Sequence, residues 1–575
     1  MITVVCGHRG VGKTTFSQRL EIYDPTAMVI DLDQEISEGE KLSVKEIFTQ
    51  LGEKHFRDLE KKYFTKIISA AAEKTYFVVG GGFDLFLVPD GVEILWIRRD
   101  TDMDGRVFPN RPRLNPDLSP IEEYRERFLT REKLFTEKST RVYTIPEGLK
   151  KTHQLEKQIF NFECNPDGFL TLLKGNLKLH FSNTIYELRT DLLSIDEIKD
   201  YLKQTGFKFV LSFRTKEDLP KYFEIAPNYK NIFFADWALE LGQPADEFLK
   251  LNPVQKIISL HSSGVSDSKL QQLESYAAQA LLKWSPKCEE FCDVVKALSW
   301  QVQDPKNRNI LPRSDIGKWN WLRLLLKQAQ QINFWREGGG SAADQPTLFQ
   351  WLNIPGRIEN LAAVLGSPVY HSWSPVFHHD FISKHSMTFI AVDMTEQDWP
   401  VGIKLLTDLG LKIAAVTSPL KKVAGNFVNS KTPVNSMALN QNNIWEGTNT
   451  DIAGPKSWPL WVKVSSIALW GGEGVTPILQ MKAEGEIQHY SSRTGELKNK
   501  PLNILPPAIL VWAAPREGTI KPPADWPLKA VVDLNYSESS MGRDIALERG
   551  IEYISGEGFF ESQARDQQLF WSKYL

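Results

Sequence analysis

The chain has 575 residues, more than one hydrophobic core supports, so three or four domains are expected. Hydrophobic residues make up 42% and charged residues 24%, a globular balance that excludes a disordered or fibrous protein. A net charge of −3 offers no basic field to nucleic acid or an anionic membrane, and four cysteines, Cys6, Cys164, Cys288 and Cys292, are too few for a disulfide framework. No second Cys or His pair follows Cys288 and Cys292 at zinc-site spacing, so no structural metal is expected. The opening MITVVCG lacks the basic and apolar regions of a signal peptide, and a cytoplasmic location is expected.

In chain order, ITVVC reads as a buried strand that breaks into a glycine-rich turn and then into a helix, TTFSQRLEIY. The runs AMVIDLD, YFVVGGG and VEILWIRR alternate with charge-rich helical stretches, which predicts a parallel α/β domain over residues 1–150. PEGLKKTHQLEKQ is a polar, helical connector. Over 160–350, IYELRTDLL, FVLSFRT, NIFFADWALEL, VQKIISLHS and CDVVKALSW read as strands ending in polar residues, the pattern of a (β/α)8 barrel. After the turn-rich REGGGSAADQP, a third series runs from LAAVLGSP to the C-terminus and includes SSIALWGGEG, a second strand-to-glycine-loop junction.

The first glycine turn carries chemistry. Gly7-His8-Arg9-Gly10-Val11-Gly12-Lys13-Thr14 satisfies the P-loop pattern between a predicted strand and helix. There the backbone at Gly10 and Gly12, with Lys13, Thr14 and Thr15, cradles ATP phosphates, and the Thr14 hydroxyl is offered to Mg2+. With the elements that follow, residues 1–150 resemble shikimate kinase. The resemblance implies that Asp31 supports Mg2+ and that Asp33 orients and deprotonates the attacking hydroxyl. It further implies that Arg57 and Arg131 grip the substrate, that Gly80, Gly81 and Gly82 admit it closely, and that Arg111 is the lid arginine over the transferring phosphate.

Lys296 ends the run CDVVKA, read as a strand, an awkward place for an ammonium ion unless its pKa is lowered. Alone it reads as a snorkelling lysine. Together with Glu187 and Arg189 in ELR, Arg214 in LSFRT and His261 in SLHSSG, it makes residues 160–350 resemble type I 3-dehydroquinate dehydratase. The resemblance implies an imine on Lys296, His261 as the general acid and base, and Arg189, Arg214, Arg323, Ser341 and Gln345 around the substrate with Glu187. Lys216-Glu217-Asp218-Leu219 stands where the family has Glu-Gly-Gly, so the carboxylate that assists the histidine is Glu217 or Asp218, or is lost.

GSPVYHSWSP, AAVTSPLKK, PVNSMALN and EGTNTDIAG, in that order, resemble shikimate dehydrogenase over 358–575, with a substrate part over about 358–455 and an NADP-binding Rossmann part over about 456–575. The resemblance implies Ser372 and Ser374 on the substrate carboxylate, Thr417, Asn435 and Gln563 on the hydroxyls, and Tyr536 among the other substrate-binding residues. It makes Lys421 and Asp451 the catalytic pair. For the cofactor, Gly471 and Gly474 form the turn and Arg493 and Thr494 favour the 2′-phosphate, while Glu473 sets a carboxylate where pyrophosphate approaches.

The expected whole is therefore an α/β multidomain chain, with the kinase, barrel and dehydrogenase in the order found in the C-terminal three domains of the pentafunctional arom polypeptide. The cofactors implied are ATP, Mg2+ and NADPH/NADP. The implied partners are the small molecules 3-dehydroquinate, 3-dehydroshikimate and shikimate, with a homodimer as the candidate assembly. The rival reading is a non-catalytic or partly catalytic regulator resembling a quinate-pathway repressor.

Overall fold

The computed structural model describes the chain apart from residues 1, 72–73, 110–112, 114, 116, 150–152, 176, 252–253, 267, 356–357, 464, 473–486 and 502–503. Apolar, β-branched runs form the first sheet: β1 (Ile2–Cys6), β2 (Met28–Asp31), β3 (Thr75–Val78), β4 (Glu93–Arg98) and β5 (Arg141–Thr144). All pair in parallel, in the order β2-β3-β1-β4-β5, so the turn after central β1 and the ends of β2 and β3 open onto one edge. Val4, Val5 and Cys6 are buried, as the crossover helices on both faces require.

The second sheet has eight parallel strands: β6 (Phe169–Thr171), β7 (Ile185–Arg189), β8 (Lys208–Phe213), β9 (Ile232–Ala238), β10 (Gln255–Leu260), β11 (Leu281–Trp284), β12 (Arg308–Ile310) and β13 (Phe334–Trp335). Consecutive strands are neighbours up to β12, and β13 returns to pair with β6. Side-chain amides bridge the remaining seam. Gln330 accepts from the Ile310 amide at 2.9 Å and donates to the Ile310 and Ile332 carbonyls, while Asn309 accepts from the Gln331 and Ile332 amides and donates to Leu282 O. Their burial makes this complete pairing necessary.

One predicted strand is a helix. CDVVKALSW lies in the helix Phe291–Gln301, whose buried positions Phe291, Val294, Ala297 and Trp300 follow a helical period and whose start is capped by Glu290 and Asp293. Its apolar run is too short for composition alone to distinguish strand from helix. The barrel strand in this part of the chain is β11, LLKW.

The third region has two sheets. β14 (Asn360–Gly366), β15 (Met387–Asp393), β16 (Leu411–Val416), β17 (Ser436–Leu439) and β18 (Trp445–Thr448) run in the order β15-β14-β16-β17-β18, with the last two antiparallel to their neighbours. β19 (Ile467–Gly471), β20 (Ile487–Tyr490), β21 (Ile509–Ala513), β22 (Ala530–Asp533) and β23 (Glu552–Ile554) form a parallel sheet, β20-β19-β21-β22-β23. The C-terminal helix Glu557–Trp571 returns across both parts. Among the described residues no helix is long and apolar enough to cross a membrane.

Candidate active sites

In the first unit, Gly10 and Gly12 adopt left-handed backbone (φ 78° and 103°), which lets the turn after β1 wrap before the helix Lys13–Tyr23 begins. Lys13 Nζ donates to the Gly7 and His8 carbonyls at 2.8 and 3.0 Å, holding its charge over the loop. A cleft of about 550 Å³ is lined by Gly10, Gly12, Lys13, Thr14, Thr15, Asp31, Asp33, Arg57, Gly80, Gly81, Gly82 and Arg131. Asp31 ends β2 and accepts from the Asp33 amide at 3.0 Å, capping the next helix and fixing both carboxylates at the cleft. The triplet after β3 permits close approach: a side chain at Gly82 would collide with the Arg57 guanidinium, and one at Gly81 would lie 3.0 Å from the Arg9 amide.

Arg57 pairs with Glu60 at 2.6 Å and Glu53 at 2.9 Å. Burial pushes the Glu60 carboxyl above its usual range against the pull of Arg57. Arg131 donates to Phe83 O at 3.3 Å, and burial, with Arg57 and Arg127 nearby, pulls its pKa down. Arg127 also lines the cleft, one turn before Arg131, a spacing readable in the sequence but not singled out there. Arg111 lies outside the described residues.

At the barrel, Lys296 is on the exposed face of its helix and away from the strand ends, which corrects its assignment to a strand. The buried lysine is Lys283 on β11, 3% exposed, in direct contact with Asp236 of β9. Arg214 reaches Asp236 at 2.6 Å and Glu187 at 3.5 Å, and Thr171 and Ser212 donate to Glu187 at 2.6 and 2.8 Å. Burial pulls the Lys283 pKa below that of an ordinary lysine, with Arg214 adding to it and Asp236 opposing. Burial disfavours the Asp236 carboxylate, but Arg214 and Lys283 hold its pKa well below the usual range.

His261, just past β10, donates its backbone N–H to Glu240 Oε1 at 2.5 Å, and its Nδ1 lies 3.5 Å from Glu240 Oε2. Burial lowers the His261 pKa while Glu240 opposes the shift, and the histidine in turn brings the Glu240 carboxyl down to about 2. Asp218 pairs instead with Lys221, so the carboxylate beside the histidine is Glu240, neither Glu217 nor Asp218. Ser341 and Gln345 bond one another at 3.0 Å, and Ser341 meets Thr171 at 3.3 Å, which brings them to the Glu187 end of the cluster. Arg189 is held by Asp191 at 2.6 Å. Arg323 is not brought into the cluster: it is buried and donates to the Pro312 and Leu311 carbonyls. The signal for Lys283 was one charge inside the apolar run ALLKW. Asp236 and Glu240 were visible in ADWALEL but not singled out.

In the third region, Lys421 Nζ meets Asp451 Oδ2 at 2.6 Å. Asn435 donates to Asp451 Oδ1 at 2.7 Å and approaches Gln563 at 3.4 Å, while the Thr450 amide fixes its carbonyl oxygen at 2.7 Å. Four residues far apart in the chain thus converge. Ser372 accepts from the Ser374 amide at 3.3 Å, and the Tyr536 ring packs against Trp373 between them, with centroids 4.8 Å apart. Thr417 packs so tightly over Gly366 that a side chain there would strike its methyl group. In the last sheet Gly471 and Gly472 turn left-handed at the end of β19, and Arg493 and Thr494 are exposed beyond β20. Glu473 and Gly474 lie outside the described residues.

Residues 9–90 match the family model of shikimate kinase. The chain is 29% identical over 131 residues to a "Shikimate dehydrogenase (NADP(+))" of Prochlorococcus marinus subsp. pastoris, a stretch that covers 20% of this chain and 46% of that protein. Against a "Pentafunctional AROM polypeptide" of Lachancea thermotolerans it is 24% identical over 536 residues, 78% of this chain and 33% of that one. In the order of its units the chain resembles a fusion of shikimate kinase, 3-dehydroquinate dehydratase and shikimate dehydrogenase. It spans less than half the length of these curated relatives. Among solved structures, "Dehydroquinate dehydratase and shikimate dehydrogenase from S. pombe AroM" aligns with 72% of this chain and 97% of its own, at 14% identity and a TM-score of 0.28. Shikimate dehydrogenase from Aquifex aeolicus aligns with 38% and 94%, at 21% identity and a TM-score of 0.32.

Proposed function

We propose that the chain carries three consecutive activities: dehydration of 3-dehydroquinate, NADPH-dependent reduction of the product to shikimate, and ATP-dependent phosphorylation of shikimate. The observation that carries the reading is that each unit gathers its own reactive set at one place, Lys13 with Asp33, Lys283 of β11 with His261 just past the neighbouring β10, and Lys421 with Asp451.

In the barrel, burial and Arg214 lower the pKa of Lys283 against the pull of Asp236, which favours the neutral amine that attacks the substrate ketone. Loss of water gives an imine; His261 takes the adjacent proton, the electron pair flows into the iminium, and the β-hydroxyl departs as water with a proton returned by His261. Hydrolysis frees Lys283. In the dehydrogenase, Lys421 and Asp451 exchange the proton of the substrate oxygen, with Asn435 fixing the carboxylate, while Ser372, Ser374 and Tyr536 hold the substrate carboxylate. The left-handed turn at Gly471 and Gly472 and the exposed Arg493 fit a phosphorylated dinucleotide, which supplies the hydride when bound. In the kinase, Gly10, Gly12, Lys13 and Thr15 fit nucleotide phosphates and Thr14 and Asp31 fit Mg2+. Asp33 takes the proton of the attacking hydroxyl, and Arg57 and Arg131 hold the substrate.

The test is mass-spectrometric product analysis of the purified chain with 3-dehydroquinate, NADPH, ATP and Mg2+, with each cofactor omitted in turn. Shikimate 3-phosphate in the full mixture, shikimate without ATP and 3-dehydroshikimate without NADPH are expected. No turnover on any unit's own substrate would refute the reading and favour a regulatory homologue.

A further inference from the structure

Glu538 lies between β22 and the helix Met541–Arg549 of the last unit, yet its carboxylate faces the first. Oε2 accepts from Arg106 Nε at 2.6 Å and lies 3.7 Å from an Arg99 N–H group, and the Glu538 carbonyl accepts from the Val107 amide at 2.9 Å. Arg106 is 1% exposed and also contacts Asp102 and the Tyr124 hydroxyl. Arg99 lies 3.6 Å from a second acid, Glu147.

Both arginines stand against the phosphate-binding turn. A side chain at Gly10 would run into Phe108 and come within 3.2 Å of Arg106 Cδ, and one at Gly12 would meet the Arg99 guanidinium at 3.5 Å. Leu547, on the helix that follows Glu538, lines the same cleft. The loop holding Glu538 also carries Tyr536, whose ring packs against Trp373, between Ser372 and Ser374 of the dehydrogenase site. One short loop thus touches two sites.

We propose that Glu538 is a positioning residue for the nucleotide cleft of the first unit, acting through Arg106 and Arg99. Two guanidinium groups side by side repel one another; Asp102 and Glu147 each hold one of them, and a carboxylate lying between the two offsets the repulsion itself. Glu538 supplies that carboxylate from 432 residues away in sequence from Arg106. The backbone donors of the turn are therefore fully aligned only when the last unit is docked on the first. The inference rests on the kinase reading only where turnover is measured; nucleotide binding reports on it directly.

The test uses the full chain, its Glu538→Ala and Glu538→Gln variants, calorimetric titration with MgADP, and phosphoryl transfer at varied MgATP, with 3-dehydroquinate dehydration as the folding control. Glu538→Ala is expected to weaken MgADP binding and raise the KM for MgATP about tenfold with little change in kcat, because loop alignment is lost while the reacting groups remain. Glu538→Gln, which keeps an acceptor for Arg106 but loses the charge, should fall between. Unchanged MgADP affinity in Glu538→Ala, or an equal loss of dehydration, would overturn the proposal. A parent chain that binds MgADP but transfers no phosphoryl group would refute the kinase reading alone, since the MgADP constants still decide this one. A parent that binds no MgADP overturns both.

Discussion

The barrel and the third region each place a lysine in contact with an aspartate, and the two pairs are not alike. Lys283 and Asp236 are 3% and 1% exposed and share their space with Arg214 and Glu187, whereas Lys421 is 25% exposed over an Asp451 that is 2% exposed. Sealing the first pair favours the neutral amine, because burial penalises the ammonium and Arg214 adds a second positive charge. The second amine stays partly open to solvent, where a substrate oxygen could reach it. In the proposed reactions the same two side chains serve covalent attack in one unit and proton exchange in the other.

The sharpest way to break this comparison is Lys283→Ala, which should lower dehydration by about 10³-fold or more, while Lys296→Ala stays close to the parent. Borohydride trapping with 3-dehydroquinate, read by peptide mass, should mark Lys283; an adduct on Lys296 would sink the assignment. Next in size, Asp451→Asn should reduce shikimate oxidation by about 10²-fold without moving dehydration, measured by NADPH fluorescence and product analysis. The same substitution in the sealed pair, Asp236→Asn, should shift a pH profile. Removing the carboxylate that raises the Lys283 pKa lets that pKa fall further, so the acid limb of kcat/KM for dehydration should move to lower pH. An upward shift would mean that Lys283 does not need to be neutral.

The smallest effect concerns Glu240, whose carboxyl is brought down to about 2 by His261. A carboxylate with a depressed folded pKa contributes stability that is present above its unfolded value and is lost as pH falls through the folded one. The thermal-midpoint difference between the parent and Glu240→Gln should therefore be about 2 °C near pH 6 and disappear as pH approaches 2. A difference that persists in acid would assign it to packing instead.

Legibility in the sequence followed how locally each site is written. The phosphate loop is one contiguous segment whose glycines are demanded by left-handed backbone, so the spacing of Gly10, Gly12 and Lys13 is enough to assign them. Lys421, Asn435 and Asp451 lie within thirty-one residues of one another in recognisable segments, and the structure brings them together. The barrel was harder. Its reactive groups sit on separate three- to seven-residue strands, and the short apolar runs around Lys283 and Lys296 look alike until tertiary packing turns one into a strand and the other into a helix. Glu240 and Asp236 went unassigned for another reason: their meaning depends on which side chain of a neighbouring strand they face, and register across strands is not written in either strand alone. Glu538 is the extreme case, since its partners lie in another unit.

The barrel's seam has a consequence of its own. Seven of its eight strand junctions are fastened by backbone ladders, while the last is bridged by the side chains of Asn309 and Gln330. A ladder can be rebuilt by almost any sequence; a pair of side-chain amides cannot. Closure of the wall along that seam therefore depends on two buried side chains that take no part in the Lys283 cluster.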